Sequence, residues 1–140
     1  MTLVERTGIT DHAPEALWDR IARMDWEAWD PDVAAMENVE GGLIEGGTFL
    51  YVLNNGLRLP SRISDVSCPT GFTWSGVGYG GLLGFWGRLD FAETESGTKI
   101  TYGFQMTRPV GWIAHWRLKD QVIQGVEEGL AGIIRETGRA

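Results

Sequence analysis

Residues Trp112 to Thr137, WIAHWRLKDQVIQGVEEGLAGIIRET, decide the reading of this chain. At 100° per residue Trp112, Trp116, Ile123, Val126, Leu130, Ile133 and Ile134 fall within roughly a third of a turn, which predicts an amphipathic helix. Arg117, Gln121, Gln124, Glu128 and Arg135 lie opposite, so one face requires a core and the other water. Gly125, Gly129 and Gly132 run down one flank at i, i+4 and i+7. Each costs about 0.8–1 kcal/mol of helix propensity relative to alanine. Close approach to a neighbouring sheet is the favoured reason; space for a ligand or a second subunit is the alternative.

Composition sets the outer bounds. A chain of 140 residues, 43% hydrophobic and 22% charged, suits a single domain over 1–140 that buries a core without staples. Seven tryptophans are many for this length, so large flat side chains are expected to line something. A net charge of −7 argues against a nucleic-acid partner and disfavours an anionic membrane surface. Cys68 is the sole cysteine, which excludes an internal disulfide and a zinc knuckle and suits a reducing, cytoplasmic setting. With no leader pattern and a glycine-broken stretch from Trp74 to Gly87, no membrane insertion is expected.

Upstream of the helix the pattern is mostly strand. Thr2 to Thr10 reads as a first strand; Pro14 opens a short helix carrying Leu17, Trp18, Ile21 and Met24. Asp25 is placed to cap a second short turn through Trp26 and Trp29, which Asp30-Pro31 stops. From Val33 the period is strand-like. Thr48 to Leu53 and Leu57 to Val66 are joined by Asn54-Asn55-Gly56, a strong hairpin signal, with Pro60 suggesting an edge or a bulge. Further strands follow at Phe72 to Gly76, Phe85 to Ala92 and Thr98 to Met106, the last two joined at Ser96-Gly97. Arg108 to Gly111 is read as the break before the helix. Antiparallel strands enclosed by helices at both ends predict an α+β fold.

The order of elements, with Ala13-Pro14-Glu15 and Trp18, Asp25 with Trp29 and Pro31, Gly47-Thr48-Phe49, Ser61 with Ile63 and Val66, Phe72 with Trp74 and Gly76, Phe91, and Gly97-Thr98, resembles the START-related, Bet v 1-like (SRPBCC) superfamily. It is most similar to the polyketide cyclase/dehydrase-like and lipid-transport-like branch. The resemblance spans nearly the whole chain. It implies a helix-grip fold, a curved antiparallel sheet wrapped around the C-terminal helix with an apolar cavity between them, and it implies no single activity. Many relatives carry a histidine in the strand that here reads Phe85 to Phe91; Gly87 or Leu89 stands there instead.

The candidate chemistry is sparse. Gly76 to Gly81 satisfies GxGxxG but lacks a following helix, which makes it a hairpin tip near a cavity mouth and leaves no cofactor expected. His12 and His115 have no partners at metal-ligand spacing, so no metal site is expected. His115, with Lys119 one turn along, is the best acid/base candidate, although a structural histidine and a snorkelling lysine are the plainer readings. Phe49, Trp74, Phe91, Phe104, Trp112 and Trp116 are expected to form the apolar wall of a ligand site, with Tyr51, Ser61, Tyr102 and His115 orienting the ligand. Three readings follow: binding of a hydrophobic or aromatic small molecule, polyketide cyclase-like catalysis by His115, and an interaction or homodimer module on the glycine flank.

Overall fold

The computed structural model describes residues 4–137. The Thr2 and Leu3 part of the expected first strand lies outside the described residues. Strand β1 (Val4–Thr10) leads to helix α1 (Pro14–Ile21) and a 3-10 turn (Trp26–Ala28). Strands β2 (Val33–Glu40), β3 (Thr48–Leu53), β4 (Arg58–Ser67), β5 (Gly71–Gly78), β6 (Leu83–Thr94) and β7 (Gly97–Thr107) follow, then helices α2 (Arg108–Arg117) and α3 (Lys119–Glu136). The strands form one seven-stranded antiparallel sheet in the order β1-β7-β6-β5-β4-β3-β2. It is a meander from β2 to β7, with β1 added on the outer side of β7. The curved, unclosed sheet carries α3 against β1 and β7 and α2 against β6 and β7. This is the α+β helix-grip architecture.

Hairpin chemistry sets the register. Gly56 adopts φ +91° in the β3–β4 turn, and Gly97 adopts φ +122° at the first position of β7, where a Cβ would meet the Thr10 carbonyl. Pro60 sits in an interior strand, not at an edge of the sheet, and pairs with Leu50 on β3. The β4–β5 ladder runs from Ser61↔Gly76, so proline stands where pairing to β5 begins. The irregularity in that ladder falls between Ser64 and Ser67 instead. Gly76 to Gly81 leads through a 3-10 turn (Tyr79–Gly81) into β6, the hairpin its missing helix implied.

Alternating residues of the sheet's inner face, among them Phe49, Tyr51, Leu59, Ile63, Phe72, Trp74, Leu89, Phe91, Ile100 and Tyr102, are buried. Trp26 is the hub. Its ring lies 5.2–6.1 Å from those of Trp29, Phe49, Tyr51, Phe72 and Trp74, mostly edge-on or tilted. Asp25 occupies the position before the Trp26–Ala28 turn without capping it. Its carboxylate is drawn to buried Arg20, 2.7 Å away, a charge that needs a partner more than the short turn needs a cap. Helix α1 stops at Ile21, and Met24 beyond it is buried in a left-handed conformation at φ +57°.

The final helix departs from the reading of one rod over 112–137. It begins earlier, at Arg108 with Pro109 in the first turn, and breaks at Leu118, where φ is −111° and ψ is 24°. The break resets the helical phase. In α2 the sheet-facing residues are Gly111 and His115, one turn apart, which turns Trp112, Ile113 and Trp116 outward. In α3 the buried stripe is Val126, Leu130 and Ile133 with the three glycines beside it.

Candidate functional site

A cavity of about 550 Å³ opens beneath α2, between the start of α3, the ends of β6 and β7, and the β3–β4 hairpin. Its apolar wall comes from Leu53, Leu57, Leu83, Phe104, Met106, Val110, Ala114, Leu118, Val122 and Val126. Polar groups gather at Asp30, Asp32, Tyr51 and Tyr102, with Asn54, Asn55 and Gln121 also on the lining. An apolar chamber with a few convergent polar groups is the usual make-up of a small-molecule site, and its size suits a ligand of a few rings.

The polar end is built by the loop that leaves the Trp26–Ala28 turn. Tyr102 Oη donates to Asp30 Oδ2 at 3.2 Å, and the Asp32 amide donates to Asp30 Oδ1 at 3.0 Å. The hairpin latches onto the same loop: the Asn54 amide donates to the Asp32 carbonyl at 2.9 Å, and its side chain donates to the Pro31 carbonyl. From the other side come the glycines of α3. A Cβ at Gly125 would collide with the Asp32 carboxylate, one at Gly129 would meet Tyr102 and the Asp30 carboxylate, and one at Gly132 would strike the Trp29 carbonyl. The flank expected to approach a sheet therefore approaches chiefly a loop, and it seats two carboxylates against the cavity.

Burial governs the electrostatics there. Desolvation raises Asp30 to about 7, opposed by its hydrogen bonds from the Asp32 amide and Tyr102 and assisted by the charges of Asp32 and Glu128. Asp32, exposed at the edge of the site, is raised by partial desolvation and then by Glu128. Tyr51 and Tyr102 are pushed well above the ordinary phenol value by burial, then by Asp30. Both phenols stay protonated as hydrogen-bond donors, and Asp30 changes charge near neutrality.

Of the residues expected to form a ligand site, the structure brings Tyr51, Tyr102 and Phe104 to the cavity wall. Phe49 and Trp74 belong to the packed aromatic cluster around Trp26, and Phe91 is buried in the same core. Ser61 is buried with its hydroxyl donating to the Leu59 carbonyl at 2.9 Å, away from this lining. Trp112 and Trp116 stand exposed on the outer side of α2, because the sheet side is taken by Gly111 and His115. His115 is buried and its Nδ1 accepts the Met106 amide at 3.3 Å, which ties α2 to the end of β7; it does not line the cavity. Lys119 is exposed.

Asp30 and Asp32 were not identified from sequence, where Asp30-Pro31 is read as a helix stop. The available signal was the pairing of Asp-Pro-Asp with a glycine flank on the distant helix. No three His, Cys, Asp or Glu side chains among the described residues are grouped to hold a metal.

No family model matches the chain, and no curated protein matches it. Solved structures do. The di-domain ARO/CYC StfQ from the steffimycin biosynthetic pathway superposes with a TM-score of 0.74 at 15% identity, covering 96% of this chain and 50% of that one. The di-domain ARO/CYC BexL from the BE-7585A pathway gives 0.70 at 12% identity over 99% of this chain and 50% of that one. This chain therefore spans about half the length of those two proteins. A hypothetical protein from Helicobacter pylori gives 0.78 at 9% identity, covering 97% of this chain and 88% of its own. Together with the sheet order and the C-terminal helices, these likenesses show that the chain shares the helix-grip fold of these proteins.

Proposed function

We propose that the protein binds a neutral hydrophobic or aromatic small molecule carrying a hydroxyl or carbonyl group. The observation that carries this reading is the cavity itself, apolar on its walls and provided with the Tyr102–Asp30 pair and the Tyr51 phenol. Burial of the ligand's rings against Phe104, Met106, Val122 and Val126 supplies the affinity, at about 25 cal/mol per Å² removed from water. The polar groups supply orientation. Asp32 and the ionisable Asp30 repel a carboxylate placed among them, so fatty acids entering head-first are disfavoured. The ARO/CYC neighbours, which act in biosynthetic pathways, support an aromatic or polyketide-like ligand.

A second reading, proton transfer on the bound molecule, is favoured at Asp30 over His115. Asp30 lines the cavity and ionises near neutrality, while His115 lies off the wall. Native mass spectrometry of protein purified from its own host, followed by tryptophan fluorescence titration with lipids, quinones and aromatic polyketides, tests the binding. A retained or saturable aromatic ligand, weakened about tenfold by Tyr102→Phe through loss of a buried hydrogen bond, is the expected result. A flat response across the panel defeats the reading.

A further inference from the structure

The outward face of α2 carries no polar side chain at its centre. Trp112, Ile113 and Trp116 are 49%, 59% and 72% exposed, and Pro109 falls between them on the helical wheel. Two more apolar residues continue the patch. The Val110 amide donates to the Leu82 carbonyl at 3.0 Å, and these side chains are 46% and 53% exposed. A helix whose inner side meets the sheet through Gly111 and His115 has no fold-level reason to turn two indoles to water.

The charged side chains of α2 itself are of one sign, and Asp120 enters only in the first turn of α3. Arg108, Arg117 and Lys119 flank the patch, all exposed, and none takes part in an ion pair among the described residues. No acidic residue interrupts the sequence from Thr98 to Lys119. The chain as a whole is acidic, with a net charge of −7, so α2 is a locally basic segment against the general sign. At physiological ionic strength charges more than about 8 Å away are largely screened, so a surface meeting α2 senses the local cations first.

The geometry points to α2 as a docking element for an anionic lipid bilayer: the helix lies in the headgroup region with its indoles toward the acyl chains and its cations on phosphates. An indole-bearing apolar face bordered on both edges by arginine is the chemistry of interfacial helices. No helix of the described residues is long and apolar enough to cross a membrane, so the attachment is peripheral. Net charge had disfavoured such a partner; the distribution of charge favours it. Val110 and Leu118 belong both to the exposed side and to the cavity wall, so a docked molecule presents its cavity mouth to the lipid. The docking stands independently of what the cavity holds.

The test is co-sedimentation of the intact protein with vesicles of phosphatidylcholine mixed with phosphatidylglycerol, against vesicles of phosphatidylcholine alone, with light scattering of the free protein alongside. The expected result is binding to the anionic vesicles, weakened by added salt, with tryptophan emission quenched by brominated acyl chains. Arg117→Gln and Lys119→Gln each weaken partitioning about fivefold. The Trp112→Ser, Trp116→Ser double variant loses binding and quenching while its thermal midpoint stays near the parent's, because both side chains are exposed. Equal binding to the two vesicle types, no binding to either, or an unaffected double variant overturns the proposal. So does a dimer in solution that Trp116→Ser splits, since a second copy would then cover the face.

Discussion

The carboxyl of Asp30 keeps its proton to about pH 7 because burial removes more hydration than two hydrogen bonds restore. The unfolded chain loses that proton near 3.8, so between these values the folded state binds more protons than the unfolded one. The contribution of Asp30 to stability therefore falls as pH rises through the window from about 4 to about 7 and levels off above it. Asp30→Asn keeps an acceptor for the Asp32 amide and removes the titration. It is expected to be more stable than the parent by about 1–3 kcal/mol at pH 8, with the advantage vanishing toward pH 4; urea unfolding at several pH values measures it. A constant difference across pH would place the ionisation elsewhere. The same residue shows where sequence reading stops. Asp30 before Pro31 looks like an ordinary helix stop, and nothing local reports that Tyr102 and Gly129 will close over it.

At the scale of elements the α3 glycines were visible and their partner was not. Their spacing announced a close approach on one flank, but a spacing carries no information about which surface arrives. At Gly132 the surface is backbone, the Trp29 carbonyl, which cannot swing aside as a side chain would. Alanine there gains about 1 kcal/mol of helix propensity and forces α3 off the loop, an overpacking penalty of about 1–3 kcal/mol. Gly132→Ala is therefore expected to lower stability, and, because the displaced loop carries Asp30, to flatten its pH dependence as well. Ala131, exposed one residue away, serves as the control: Ala131→Gly loses only propensity, about 1 kcal/mol, and leaves the pH profile alone. The break at Leu118 was harder to see. The apolar stripe runs on through it at nearly constant phase, and the residue itself is an ordinary leucine; the kink comes from seating His115 against the end of β7 while α3 follows the glycine flank.

Across the whole molecule the interior divides into a solid half and a hollow one. Around Trp26 the sheet's concave side is filled by rings in mutual contact, and toward α2 the same sheet ends in open volume. The strands and their inner faces were legible because alternation reports burial. Solid core and cavity were not separable, because both are lined by the same residue types: Phe49 packs on Trp26, while Phe104 faces the cavity. A void of this size is maintained against the tendency of a core to close, and filling it should stabilise the fold while removing its use. Val122, half-buried on α3 and facing the cavity, is the position to fill. Val122→Phe is expected to raise stability by about 0.5–2 kcal/mol, the range for cavity-filling substitutions, and to abolish saturable ligand quenching. Both readouts matter together. A variant that is stabilised yet still binds would show that ligands enter somewhere other than beneath α2, and one that loses both stability and binding would show that the chamber's walls do not accommodate an added ring.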